Sequence, residues 1–266
     1  MPVSRRNGVD IYYERVGRGP PLVLIHAMPF DHHLWLYQVE RFSSRFTTIA
    51  MDLRGWGQSA KPRTPFTLED MGRDVTGVLE DEDLARDAIV MGCSVGSKIA
   101  LMLACDHPEI FKGAVLVGGN SGLQAQFDHR IAAYRAEHAA GTLPAYHFGH
   151  LRHGVTAGWA DTPTGRYLLE GFVERGADLD PESIANVFRA VGESDLTSRL
   201  AQYRSPTLIV NGEHDNALKG GTRTASLIGH SQHFILPGAG HCCFVEQPST
   251  FNARVTQFFK ETGIWP

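Results

Sequence analysis

The alternation of short, continuous apolar segments with amphipathic segments constrains the fold of this chain most strongly. The apolar segments are six or seven residues long, rich in Val, Ile and Leu, and bounded by Gly, Pro or Asp. An uninterrupted apolar segment of this length is typical of a strand that is covered on both faces, as in a parallel sheet. Six segments fit this description: Pro21–His26, Phe46–Asp52, Asp87–Cys93, Gly113–Gly119, Pro206–Gly212 and Gln232–Pro237.

Helical patterns lie between these predicted strands. Leu68–Leu84 places apolar residues at spacings of three and four, Val95–Cys105 is small and apolar, and Phe244–Phe259 is amphipathic. Strands that alternate with helices predict an α/β fold with a doubly wound, mostly parallel sheet. Val9–Arg15 alternates apolar and polar residues, which predicts an antiparallel strand at the edge of that sheet.

The alternation stops between residues 120 and 200. This segment has no strong strand pattern, but it contains helical patterns such as Arg130–Ala140 and Pro181–Val191. It is too long to be a structureless loop. We therefore predict a core formed by residues 1–119 and 201–266, with residues 120–200 as a helical cap.

Composition and charge exclude several classes of function. The 266 residues are enough for one domain with an insertion, and a hydrophobic content of 42% argues against disorder. A net charge of −4 gives no reason to expect a nucleic-acid partner. No transmembrane segment or signal peptide is evident, so we expect no membrane partner. Four cysteines without a CxxC pair favour a reducing, cytoplasmic location.

A G-x-S-x-G motif occupies Gly92–Gly96 (GCSVG), between a predicted strand and a predicted helix. This is the context of a nucleophile elbow, a sharp turn that projects a serine hydroxyl beyond the carboxyl end of a strand. The flanking glycines would prevent collisions in that turn. We interpret Ser94 as the nucleophile and the backbone N–H of Val95 as an oxyanion donor.

A serine nucleophile needs a base, and His241 is the main candidate. His241 follows the last predicted strand in a glycine-rich loop, and Asp215 follows the preceding strand. All three residues lie beyond the carboxyl ends of predicted strands, where doubly wound folds place their sites. Asp215 would orient the imidazole and stabilise its protonated form. His214 is a weaker candidate for the base.

A second oxyanion donor is expected from the loop that ends the first long strand, His26–Pro29 (HAMP). This loop would face the nucleophile. The backbone N–H of Met28 is favoured, with that of Ala27 as the alternative.

Together these motifs resemble the α/β-hydrolase superfamily, and the likeness runs through nearly the whole predicted core. Asp52–Ser59 resembles the family's D-x-R-G-x-G-x-S turn, and His241 followed by Glu246–Pro248 resembles its histidine loop. The chain order of serine, acid and histidine is also that of the family. The resemblance implies an α/β-hydrolase fold with Ser94, Asp215 and His241 as the catalytic triad and with Met28 and Val95 as the oxyanion hole.

Three positions bear on how closely the chain follows this family. Ala27 stands where the family usually has a glycine, and it can serve if its backbone avoids left-handed conformations. Ser97 stands where a further glycine is common after the elbow. Cys93 is not a thiol nucleophile, because a cysteine elbow would need glycines at positions 91 and 95. A serine rather than an aspartate at the elbow favours acyl transfer over the chemistry of haloalkane dehalogenases.

The resemblance implies a hydrolase that cleaves a small-molecule ester or lactone through an acyl-enzyme and needs no cofactor or metal. It is similar to 3-oxoadipate enol-lactonases and carboxylesterases. Three alternatives stay open: a C–C bond hydrolase of a vinylogous diketone, a cofactor-free perhydrolase or haloperoxidase, and a ligand receptor on the same fold. The C–C hydrolases commonly have Asn where this chain has Cys93. The sequence does not indicate an oligomeric state.

Residues of the cap and of the oxyanion loop would determine the substrate. Apolar side chains that could line the pocket are Phe30, Trp35, Phe127, Phe148 and Trp159. His147, His150 and His153 recur every three residues, but no carboxylate lies at metal-ligand spacing, so a solvated or substrate-lining face is favoured. If Arg130, Arg135 or Arg152 points into the pocket, a carboxylated lactone is favoured over a neutral ester.

Overall fold

The computed structural model describes residues 2–123 and 127–266. Its strands are β1 (Val3–Ser4), β2 (Ile11–Val16), β3 (Pro21–Ile25), β4 (Thr47–Met51), β5 (Ala88–Cys93), β6 (Phe111–Val117), β7 (Thr207–Gly212) and β8 (Gln232–Leu236). They form one sheet in the order β1-β2-β4-β3-β5-β6-β7-β8. All pairs from β4 to β8 are parallel, whereas β1 with β2 and β2 with β4 are antiparallel. The predicted doubly wound, mostly parallel sheet is confirmed.

Helices cover both faces of this sheet. Those of the core are α1 (Leu36–Phe42), α2 (Leu68–Asp81), α3 (Val95–Asp106), α9 (Leu218–Leu227), α10 (Cys243–Glu246) and α11 (Pro248–Glu261). Neighbouring strand residues bury on opposite faces, as a pleated strand requires. Val23 belongs to the hydrophobic cluster under α2 and α3, whereas Leu22 and Leu24 belong to the cluster under α1 and α11.

In the described part of the chain, five α-helices lie between β6 and β7, within the segment that the sequence indicates as a cap. They are α4 (Asp128–Ala140), α5 (Leu143–Arg152), α6 (Ala157–Ala160), α7 (Pro163–Arg175) and α8 (Pro181–Gly192). Tyr134 and Phe188 pack in one core cluster, and Leu151 and Phe172 pack in the other. The cap therefore shares its apolar packing with the core on both faces of the sheet.

Polar contacts also join the cap to the core. The buried Lys98 of α3 donates from Nζ to the carbonyl oxygens of Gly122 and Val191, at 3.0 and 2.9 Å. Arg175 of α7 pairs with Asp31, with Nε 2.7 Å from the carboxylate. These contacts hold the cap over the carboxyl ends of the strands.

Several details differ from the sequence predictions. The helix predicted over Phe244–Phe259 is broken at Gln247 (φ −132°, ψ 62°), because the residue before Pro248 avoids the α conformation. The edge of the sheet is β1, so that β2 lies second. Helices α1 and α9 and a short 3-10 helix at His32–Trp35 have no counterpart in the predicted elements. None of the described helices combines the length and the apolar character needed to cross a membrane.

Candidate active site

Ser94 occupies a strained turn between β5 and α3. Its backbone lies at φ 54° and ψ −112°, a conformation that costs a non-glycine residue energy. A Cβ atom on Gly92 would lie 2.1 Å from the carbonyl oxygen of Gly96, and one on Gly96 would lie 2.1 Å from that of Ile25. The expectation that this turn requires both glycines is therefore confirmed.

The serine after the elbow is accommodated by a glycine on the next strand loop. A Cβ atom on Gly119 would lie 2.0 Å from Oγ of Ser97, which is buried. The absence of a side chain at Gly119 therefore leaves the room that the Ser97 side chain occupies. The departure from the family pattern at Ser97 does not disturb the packing of α3 on the sheet.

Asp215 and His241 form a hydrogen-bonded pair at the ends of β7 and β8. Nδ1 of His241 lies 2.7 Å from Oδ1 of Asp215, and it donates because an ionised carboxylate can only accept. Asp215 also accepts from the backbone N–H of Ala217, at 2.8 Å, and from Nδ2 of Asn211, at 2.7 Å. The carboxylate is therefore fixed in orientation, and Nε2 of His241 is left as the proton acceptor of the neutral ring.

The pair shifts the pKa values of its two members in opposite directions. Burial raises the pKa of Asp215, but the hydrogen bond and charge of His241 outweigh it and the net pKa is lowered. Burial lowers the pKa of His241, but the hydrogen bond and charge of Asp215 outweigh it and raise the pKa to about 8. The ring of His241 also packs on Gly118, where a Cβ atom would lie 2.5 Å from Cε1.

Asn211 is a supporting residue that the sequence reasoning missed. Its Oδ1 accepts a hydrogen bond from Nε2 of His233, at 3.0 Å, while its amide donates to Asp215. A Cβ atom on Gly221 of α9 would lie 2.1 Å from this Oδ1. The signal that could have revealed it is a lone amide near the end of an otherwise apolar strand.

The predicted oxyanion donors lie beside Ser94. Val95 is the first residue of α3, so its N–H has no partner within the helix. The N–H of Met28 donates no hydrogen bond to any residue that the structure describes. Positive φ angles outside glycine occur, in the described ranges, at Asp83, Asp87 and Ser94, so Ala27 avoids the left-handed region.

His26 fixes the base of the oxyanion loop. Its Nε2 accepts from the backbone N–H of Leu53, at 2.9 Å, so Nδ1 carries the proton and donates to the carbonyl oxygen of Ala27, also at 2.9 Å. Burial lowers the pKa of His26, which keeps the ring neutral. His26 is thus a structural residue of the loop, which also contains a cis peptide bond between Met28 and Pro29.

A cavity of about 480 Å³ lies between the core and the cap. Ser94, His241, Met28 and Val95 line it. These four residues are therefore brought together, although Ser94 and His241 do not hydrogen-bond directly in the described structure. Catalytic hydrogen bonds are often long in a free enzyme and shorten when substrate binds.

The aromatic residues predicted to bind substrate are divided by the structure. Phe30 and Phe127 line the cavity. Trp35 is fully buried away from it and stacks on Phe244, with ring centroids 4.3 Å apart. Phe148 and Trp159 are partly buried against the cluster under α1 and α11 and do not line the described cavity. Their aromatic character reflects packing, which the sequence pattern alone does not distinguish from binding.

The three cap histidines also separate. His147 is buried and donates from Nε2 to the carbonyl oxygen of Pro29, at 2.9 Å, so it supports the oxyanion loop. His150 and His153 line the cavity. The sequence predicts a solvated or substrate-lining face for all three histidines, and only His150 and His153 fit that prediction.

Among the described residues, Asp31, His32 and His33 form a cluster of possible metal ligands, which lies outside the cavity. Asp31 already pairs with Arg175 at 2.7 Å, and Nδ1 of His32 lies 2.7 Å from Asp52. Both oxygens of Asp31 are occupied, because Arg175 takes Oδ2 and the backbone N–H of His33 donates to Oδ1, at 2.9 Å. The cluster therefore fits an ion-paired structural role better than a metal site.

Comparison with known proteins agrees with the fold. Residues 20–248 match the family model described as the alpha/beta hydrolase fold. The 3-oxoadipate enol-lactonase 2 of Acinetobacter baylyi is 25% identical over 95% of this chain and 94% of its own. The AB hydrolase superfamily protein YisY of Bacillus subtilis is 27% identical over 96% of this chain and 97% of its own.

A solved structure gives the same result. The enol-lactonase from Burkholderia xenovorans LB400 superposes with a TM-score of 0.89 and 25% identity, covering 97% of this chain and 100% of that one. The chain belongs to the α/β-hydrolase family, and its fold is the α/β-hydrolase fold.

Proposed function

We propose that this protein is a serine hydrolase that cleaves a carboxylic ester or a lactone through an acyl-enzyme. The observation that carries the proposal is the convergence on one cavity of Ser94, in its strained turn, and His241, held by Asp215 at 2.7 Å. A strained nucleophile with an oriented base is the arrangement that acyl transfer needs.

In the first half of the reaction, Nε2 of His241 takes the proton of the Ser94 hydroxyl as Oγ attacks the carbonyl carbon. The carbonyl oxygen becomes an oxyanion and accepts hydrogen bonds from the N–H groups of Met28 and Val95. The imidazolium ion then donates its proton to the leaving oxygen as the ester bond breaks. Asp215 stabilises the imidazolium throughout.

In the second half, water enters and His241 removes one of its protons as the oxygen attacks the acyl carbon. The tetrahedral intermediate uses the same two N–H donors. Its collapse breaks the bond to Ser94, and His241 returns the proton to Oγ. The products are a carboxylic acid and an alcohol, which for a lactone are parts of one molecule.

The relatives support the ester or lactone bond as the target. Two of them carry enol-lactonase in their names and match nearly the whole chain at 25% identity. Other relatives are named as a non-heme chloroperoxidase, a non-heme haloperoxidase and a 2-hydroxy-6-oxo-6-(2'-aminophenyl)hexa-2,4-dienoic acid hydrolase, at 24%, 26% and 22% identity. Haloperoxidase chemistry and C–C bond hydrolysis are therefore the competing candidates, whereas a receptor role has no specific observation in its favour. A cytoplasmic location is part of the proposal, supported by the four free cysteines, since free thiols persist in reducing compartments.

Hydrolysis of 4-nitrophenyl butyrate tests the proposal. Ser94→Ala should lower kcat by a factor on the order of 10⁴ or more, because the nucleophile of a triad is lost. Ser226→Ala, which removes an exposed hydroxyl on α9, is the matched control and should be active. Mass spectrometry after treatment with a fluorophosphonate should find the adduct on Ser94. Turnover by Ser94→Ala at the wild-type rate would refute the mechanism.

A further inference from the structure

The cavity above Ser94 carries an unbalanced positive charge. Arg130, at the start of α4, lines it, and no Asp or Glu is among its described lining residues. Arg130 has no salt bridge within the described ranges, and the undescribed residues 124–126 contain no acidic side chain. By contrast, Arg135 pairs with Glu182 at 2.6 Å.

The groups that contact Arg130 are neutral. Its Nη1 lies 3.4 Å from Nε2 of His150, and its guanidinium carbon lies 5.8 Å from the ring centroid of Phe127. Because arginine can only donate, Nε2 of His150 is the acceptor, and Nδ1 donates to the hydroxyl oxygen of Tyr134, at 2.9 Å. Burial and the charge of Arg130 lower the pKa of His150 to about 3, so the ring is uncharged. His150 therefore orients the guanidinium group without neutralising it.

Arg130 is also close to the reacting groups. Its charge is one of the influences that lower the pKa of His241. Ser94, Val95 and Met28 come from the core and Arg130 comes from the cap, and all four line the same cavity. A cation in a confined cavity favours a ligand that brings one negative charge to it.

We propose that the substrate carries a free carboxylate that the Arg130 guanidinium group binds while Ser94 attacks an ester or lactone carbonyl elsewhere in the same molecule. This rests on the proposed function and names the substrate class for that site. The planar guanidinium group matches a carboxylate with two parallel hydrogen bonds. A carboxylate, with one negative charge, suits a single arginine better than a phosphate dianion does.

Two esters of equal chain length test the proposal. Mono-4-nitrophenyl adipate ends in a carboxylate and 4-nitrophenyl hexanoate ends in a methyl group. Wild-type enzyme should favour the adipate ester in kcat/KM, and Arg130→Met should reduce that preference about 10- to 100-fold, the range for a hydrogen bond to a charged group. Arg130→Lys should recover part of the preference. Arg152→Met, which removes a cap arginine paired with Asp161 at 3.0 Å, should leave it unchanged.

The hexanoate ester has no carboxylate for Arg130 to bind, so it reports what Arg130→Met does to the rest of the site, and its loss in kcat/KM should be smaller than that of the adipate ester. Equal kcat/KM for both esters in wild type, or an equal loss for both in Arg130→Met, would overturn the proposal. Adipate should inhibit hexanoate hydrolysis competitively, and stronger inhibition by inorganic phosphate would also overturn it. If Ser94→Ala still hydrolyses both esters, the proposed function itself fails. If Ser94→Ala is inactive but wild type ignores the carboxylate, only the assignment of Arg130 fails.

Discussion

The charge of Asp215 controls the protonation of His241, and Asp215→Asn is the substitution that tests this. Asp215 is buried, and its Oδ1 lies 2.7 Å from Nδ1 of His241. Although burial lowers the pKa of His241, the carboxylate raises it from 6.5 to about 8. That difference corresponds to about 2 kcal/mol of preferential stabilisation of the imidazolium ion.

Two consequences follow for the rate. His241 can accept the Ser94 proton only when it is neutral, so kcat/KM should rise as the pH rises through about 8 and then level off. In Asp215→Asn the effect of burial is unopposed, so the pKa of His241 should fall and the rising limb should move to lower pH. The plateau should also fall by roughly 30-fold or more, since the imidazolium ion that forms in the transition state loses about 2 kcal/mol.

The assay is kcat/KM for 4-nitrophenyl butyrate between about pH 5 and 9.5, with wild type and Asp215→Asn compared at each pH. Asp10→Asn is the control, because Asp10 is an exposed residue that pairs with Arg5 at the surface. A rising limb at the same pH in wild type and Asp215→Asn would refute the electrostatic reasoning. An unchanged plateau would refute the role of Asp215 in orienting the base.

Four further substitutions test the packing and the polar contacts that support the site. Gly96→Ala should lower the free energy of unfolding in urea by about 3 kcal/mol, because the new Cβ would lie 2.1 Å from the carbonyl oxygen of Ile25. Gly149→Ala is the control: the space around Gly149 in α5 is open, so this substitution should raise the free energy of unfolding by about 0.5–1 kcal/mol. Glu246→Gln should lower kcat about 10-fold with 4-nitrophenyl butyrate. The two oxygens of Glu246 accept from the backbone N–H groups of Gly240, at 2.7 Å, and Thr156, at 3.1 Å, and the single oxygen of glutamine cannot serve both. An unchanged kcat would contradict this. Burial lowers the pKa of Lys98 from 10.5 to about 8, so the folded state loses this proton at a lower pH than the unfolded state does. As the pH rises from about 8 to 10.5, the free energy of unfolding of wild type relative to that of Lys98→Met should therefore rise by about 3 kcal/mol. A difference that does not depend on pH would contradict this.

The reacting residues could be located from the sequence because each is marked by local chain chemistry. The turn at Ser94 needs Gly92 and Gly96, and both glycines lie two positions from Ser94 in the sequence, so the motif can be recognised locally. Asp215 and His241 each follow an apolar strand, and parallel strands bring their carboxyl ends to one edge. Their proximity is therefore a consequence of topology, which the apolar alternation predicts. Their catalytic roles are still a proposal.

The supporting residues could not be located in this way, because their partners are distant in sequence. Glu246 joins Gly240 to Thr156 of the cap, and no pattern within the histidine loop indicates that second contact. Aromatic residues pose the related problem that core and cavity use the same side chains. Phe127 lines the cavity and Trp35 packs in the core, although both are aromatic.

The division of labour between core and cap explains why the reaction type was easier to infer than the substrate. The core supplies Ser94, His241 and the two N–H donors, whose geometry is fixed by strand ends and a helix start. The cap supplies Arg130, and its charge is meaningful only because His150 is neutral and no carboxylate faces it in the described cavity. Whether the charge of Arg130 is compensated depends on which side chains lie near it in three dimensions, and neighbouring positions in the sequence do not show this. On the proposed function, replacing this arginine by an apolar residue would change the substrate class and leave the core residues proposed for acyl transfer in place.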